Sequence, residues 1–168
     1  MAGRRSATLT ISHWDKLLEN LQLSVQLFYS ALEQVLARRQ IPQARAFRIV
    51  WREGAPFSPR REYLRVVRGE FVFDICGAPF GTGFFVSWWL GESPPGPLSF
   101  LSRVPLLGAV RDGLVRPATY YRIDTALMFQ AAVHAAVLEV IDTVSADQGV
   151  RPPTDLERRP ILRDLFEN

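Results

Sequence analysis

The side chains that could do covalent chemistry are few. Cys76 is the one cysteine and His134 one of two histidines. A thiol needs a base to activate it and a carboxylate to orient that base. Cys76 with His134, and with Asp142 or Asp74 behind the ring, is therefore the candidate catalytic set, that of a Cys-His hydrolase. No local signature surrounds either residue. The competing expectation is that Cys76 fills space as a small hydrophobe and that His134 hydrogen-bonds Gln130 one helical turn earlier.

Glu62, Glu70 and Asp74 could form a metal-binding carboxylate cluster, but no lysine stands near them. His13 and His134 are too far apart in sequence to suggest a zinc site, so no metal or other cofactor is expected. "GAPFGTG" (77–83) has the glycines of a phosphate loop without the following helix and lysine, and it reads as turn glycine. Asp74 lies between the apolar Val72 and Cys76 and calls for a buried partner such as Arg48 or Arg65.

Nothing in these groups specifies a reaction, and what they can do depends on the elements that position them. Its 168 residues suit one domain with a core that needs no disulfide. One cysteine also fits a reducing compartment, and the apolar stretch behind Arg4 and Arg5 is short for an export signal, so cytoplasm is expected. Among the 20 basic residues only Lys16 is lysine; with abundant Ala, Gly, Pro and Val this is the composition of a GC-rich bacterial genome. Residues 1–68 hold 12 basic and 5 acidic side chains, and 69–168 hold 8 and 12. That split serves an acidic partner, nucleic acid or lipid, or pairs the two halves with each other.

Ser12 and Asp15 have capping-box spacing, and Trp14, Leu17, Leu18, Leu21, Val25, Phe28, Leu32 and Val35 recur at helical steps. They predict one long helix from Ser12 to about Arg39, stopped by Pro42. Then the period becomes two. "RAFRIVWRE", "EYLRVV", "EFVFDIC" and "GFFVSWWL" read as four strands of an antiparallel meander, with Arg68-Gly69 turning the second hairpin. Phe47, Ile49, Trp51, Leu64, Val66, Phe71, Phe73 and Ile75 are expected to face the helices. A buried second helix starts at Asp124 or Thr125 and ends at Gly149. The expected fold is α+β and two-layered: a single domain over 1–150, then a tail over 151–168 with a short helix capped by Thr154 and Glu157.

The opposite sheet face would display Arg48, Arg52, Tyr63 and Arg65, and Trp89 on the fourth strand is a further candidate contact. Arg and aromatic side chains are enriched at protein interfaces. They also stack single-stranded bases. Residues 84–116 pose the remaining question. They are too short and too interrupted to span a bilayer. Trp88, Phe100, Leu101, Arg103, Leu107 and Arg111 form an apolar crossover with cations that could meet protein or lipid headgroups. The sequence therefore points to a non-enzymatic interaction or assembly subunit that binds a protein partner or forms a homo-oligomer. Alternatives are a peripheral adaptor at the inner membrane face, a single-strand nucleic-acid binder and the hydrolase.

Overall fold

A computed structural model describes residues 9–52, 60–93 and 119–162. The elements run β1 (Leu9–Leu18), α1 (Val25–Arg39), β2 (Arg45–Arg52), β3 (Arg60–Arg68), β4 (Phe71–Phe80), β5 (Gly83–Glu92), α2 (Tyr120–Asp147) and β6 (Ile161–Leu162). They form one antiparallel sheet in the order β2-β3-β4-β5-β1-β6, with both helices packed on one face. The chain is α+β, and β2 to β5 are the expected meander. Two strands are added beyond it, the last only two residues long.

The expected helix from Ser12 divides in two. Residues 9–18 pair along β5 as β1, Asn20 turns the chain at φ 61°, and the helix begins after Ser24, whose side chain caps the Leu27 N–H. Trp14 and Leu18 fit both periods, since four residues is a helical step and also twice a strand step. The β5 partner decides between them: Trp14 and Leu18 lie beside Trp88 and Phe84, and all four are buried. At its other end α1 stops where Pro42 predicts, with Gln40 left-handed at the C-cap.

α2 is capped by Thr119, five residues before the earlier of the two expected caps, and Gly149 at φ 64° follows its end. Its Phe129, Val133, Val137, Val140 and Ile141 are buried in the core, which explains an apolar composition that would also suit a membrane span. In the tail Glu157 accepts from the Thr154 N–H and Thr154 from the Glu157 N–H, so the capping box forms. It closes a single turn and not the expected helix, because Pro160 follows. This turn docks on β1: Trp14 Nε1 donates to the Glu157 carbonyl at 2.7 Å, and Lys16 pairs with the Glu157 carboxylate.

β2 faces the other way from expectation. Its partners set the parity: Ala46 and Arg48 lie beside Val66 and Leu64 on the helix side, whereas Phe47, Ile49 and Trp51 lie beside Arg65, Tyr63 and Arg61 on the open side. Leu64, Val66, Phe71, Phe73 and Ile75 do face the helices and are buried. The inversion has a specific cause. Arg48 reaches α1, where its guanidinium lies 5.6 Å from the Tyr29 ring centroid and donates to Glu33 at 3.0 and 3.1 Å.

The β3–β4 ladder stops at Leu64↔Ile75 although both strands continue. Tyr29 fills the gap. Its hydroxyl donates to the Glu62 carbonyl at 2.7 Å and accepts from the Gly77 N–H at 3.1 Å, replacing the next rung. Burial pushes the Tyr29 phenol well above its ordinary range. Gly77 is required here, because a Cβ would come within 2.5 Å of the Phe28 ring. Pro79, two residues on, occupies a position whose absent N–H would face the same gap. Replacing Tyr29 with Phe leaves the Glu62 carbonyl and the Gly77 N–H unpaired and should cost about 1–3 kcal/mol for each. Urea denaturation of the variant and the parent measures this, and an unchanged midpoint would contradict the bridging role.

Candidate functional site

The expected catalytic pair is not assembled. Cys76 alternates with Ile75 and Gly77, which face the helices, so its thiol lies on the open side of β4; His134 is on α2, across the sheet. Burial pushes the Cys76 thiol upward, and the Arg61 guanidinium beside it only partly offsets this. The pairing of His134 with Gln130 does not form either. Gln130 accepts instead from the Ser12 hydroxyl.

His134 has both ring nitrogens engaged. Nδ1 accepts from Trp88 Nε1 at 3.0 Å, and Nε2 lies 2.7 Å from the Arg158 carbonyl, to which it donates in the neutral ring. Trp14 and Trp88 each set their rings edge-on to it at 5.4 Å. Burial drives the imidazole below its ordinary range, with the Arg158 carbonyl opposing that shift. The nearby Arg158 charge is held by Asp142 at 2.7 and 2.9 Å. His134 thus ties α2, β5 and the tail together.

Trp88 is fully buried, so it is a core residue and not the interface residue its composition suggests. Its neighbour Trp89 is 48% exposed on the open face and stacks on His13 at 4.7 Å and 14°. Phe100, Leu101, Arg103, Leu107 and Arg111 lie outside the described residues.

Registers across five strands then define one row on the open face. Phe47 is opposite Arg65, Arg65 opposite Asp74, Asp74 opposite Trp89, and Trp89 opposite His13. Arg65 answers the need of Asp74 with two bonds of 2.7 Å and also sits 5.4 Å from the Trp51 ring centroid. Below this row lie Ile49, Tyr63, Cys76 and Ser87. Tyr63 is half-buried, and burial raises its phenol. Of the other expected contact residues, Arg48 belongs to the helix side and Arg52 ends β2 opposite Arg60. His13 and Trp51, which sequence reasoning missed as members of this face, were concealed by the helix assignment and by the inverted facing of β2.

Among the described residues no cluster of three or more His, Cys, Asp and Glu side chains is placed to hold a metal ion. The chain matches no family model, no curated protein and no solved structure.

The buried imidazole makes stability depend on pH. A histidine with a lowered folded pKa contributes fully above its unfolded value, about 6.5. The contribution is lost as pH falls below that value, because the unfolded chain takes up the proton first. Glu139 and Glu157 are also held low by their arginine and lysine partners, but their contributions fall only below the ordinary carboxylate range, about 4.3. Urea midpoints followed by Trp fluorescence should therefore be level above about pH 6.5 and decline below it. His134→Gln, which can still accept and donate, should flatten that decline. An equal decline in the variant would remove His134 as its cause.

Proposed function

We propose that the chain is a non-enzymatic interaction subunit that binds protein through the open face of its sheet. The observation that carries this reading is the cross-strand row from Phe47 to His13, which ends in half-exposed aromatics on both sides of a neutralised Arg65–Asp74 pair. Helices fill one face of the sheet, while no described element covers the other. Leu17 and Phe85 extend the apolar area, with Leu17 39% exposed and Phe85 half-buried. Aromatic anchors around a charge pair that needs no further partner suit a protein surface, which can cover them without stranding a buried charge.

The same observation counts against a nucleic-acid role, because phosphate binding needs uncommitted cations. Arg65 is taken by Asp74, and Arg48 by Glu33 on the other side. A membrane-surface role would rest on residues 98–116 and draws no support from the row. The Trp89→Ala and Phe47→Ala variants test the proposal. A photo-crosslinking residue at either position should capture one defined protein in the native cells, and none should be captured from position 34 on the exposed side of α1. Trp89→Ala should then weaken that complex about 30-fold, the effect of a 2 kcal/mol hot spot, with the melting temperature little changed. Capture of oligonucleotides that fades with salt, or binding to anionic liposomes with the row untouched, would overturn the reading.

A further inference from the structure

The outer edge of β2 has the properties of a pairing strand. It is the terminal strand of the sheet, eight residues long, with neither Pro nor Gly between Arg45 and Arg52. Natural edges are blunted by Pro, bulges, inward charges or short length. Pro79 does this where β4 leaves β3, but β2 has no bulge in its register with β3. Of its inward charges, Arg48 is neutralised by Glu33, with Glu62 3.9 Å away, and Arg52 stands only at the last position of the strand. α1 does not reach the edge either. A groove of about 470 Å³ lined by Leu36, Ala37, Ile41, Ala44, Ala46 and Val66 separates it from β2–β3. Val50 is 60% exposed and Phe47 45%.

The direction of the backbone groups follows from Tyr29. The Glu62 carbonyl points into the β3–β4 gap, so even-numbered residues of β3 turn their backbone polar groups to β4 and odd-numbered ones to β2. Ile49 lies opposite Tyr63 and bonds inward; Ala46, Arg48 and Val50 therefore present their N–H and C=O groups outward. No described strand lies beyond them.

We infer that β2 pairs antiparallel with β2 of a second copy, placing Ile49 on the two-fold axis. A two-fold axis perpendicular to the sheet keeps each face continuous, so residues directly opposite must share parity. Setting Ile49 against itself puts Phe47 opposite Trp51 and Arg48 opposite Val50, with Ala46 opposite Arg52. Apolar and aromatic pairs fall on the open face, and no like charges meet. Moving the axis to residue 48 sets Arg48 against Arg48, and moving it to residue 50 sets Arg48 against Arg52. Both alternatives oppose like charges. The dimer joins two open faces into one surface with the Phe47–Trp51 pairs at its centre. It is independent of whether that face binds a further partner.

The test uses the purified full chain. At tens of micromolar, light scattering should give twice the 19.0 kDa of one chain. Ile49→Lys, which sets two cations on the axis, and Val50→Pro, which removes an outward N–H without touching the β2–β3 ladder, should each give a monomer with an unchanged circular-dichroism spectrum. Opposed residues in a non-hydrogen-bonded pair have Cα atoms about 4.5 Å apart, within disulfide range. Mild oxidation should therefore link Ile49→Cys to itself but leave Phe47→Cys and the parent, whose Cys76 is buried, unlinked. A monomeric parent, a dimer surviving both edge variants, or self-linking at position 47 in preference to 49 would overturn the pairing. A monomer that still captures its partner through Trp89 would overturn the dimer alone, and a dimer whose capture of a partner is unaffected by Trp89→Ala would overturn the partner reading alone.

Discussion

The hydroxyl of Tyr29 allows the sheet to open without leaving buried backbone groups unpaired. An antiparallel ladder that simply stopped between Glu62 and Gly77 would strand a carbonyl and an N–H in the interior, at a cost of about 1–3 kcal/mol for each. One phenol satisfies both and belongs to α1, so the helix is fixed to the sheet at the place where β3 and β4 part. Two further features follow from that contact. Gly77 must lack a Cβ so that Phe28 can lie against the strand. The β2–β3 ribbon is oriented so that Arg48 passes over the Tyr29 ring to Glu33, which turns Phe47, Ile49 and Trp51 to the opposite face.

Charge is used in the same internal way. The basic first part of the chain and the acidic remainder meet in Arg38 and Arg39 with Glu139, in Lys16 with Glu157 and in Arg65 with Asp74. Within the second part, Arg122 bridges Glu70 and Glu92, where the end of β5 meets the start of α2, and Arg158 holds Asp142. Most of these groups are partly exposed, so each pair adds little to stability. Together they orient the elements and leave less cationic surface than the composition of the first 68 residues implies. Part of an asymmetry that resembled a recognition surface in sequence is thus consumed in tying the fold together.

How much was legible depended on whether a residue pattern admitted one period or two. The meander from β2 to β5 and the presence and end of α2 were readable from alternation and from a long apolar run closed by Gly149, whereas the cap that starts α2 lies five residues ahead of the earlier expected one. β1 was not, since Trp14 and Leu18 satisfy a helix and a strand equally until β5 supplies a partner. The facing of β2 failed for another reason. Apolar-inside is a rule for strands beneath a helix, and β2 lies beyond the edge of α1, where a half-buried arginine with a carboxylate partner displaces the alternation. Local polar chemistry fared unevenly. The need of Asp74 for an arginine was met by one of the two named, and the Thr154–Glu157 box formed, while the partners of His134 came from β5 and the tail and could not be found within its own helix.

These failures also explain why the open face carries more aromatic surface than its sequence announced. Inverting β2 adds Phe47 and Trp51 to it, and recasting residues 9–18 as a strand adds His13 beside Trp89 and Leu17 beside Phe85. A face assembled from the two outermost long strands and the centre of the meander is wider than any single amphipathic element could display. Its sole ion pair across the row is already complete. What remains unsatisfied there among the described residues is apolar area on one face and backbone hydrogen-bonding capacity along one edge. These are separate demands: the first is met by any complementary apolar surface, the second only by another extended strand. Both converge on β2, where Phe47, Ile49 and Trp51 turn apolar side chains to the open face and the alternating Ala46, Arg48 and Val50 turn their backbone groups to the edge, a direction set by the contact of Arg48 with Tyr29 and Glu33.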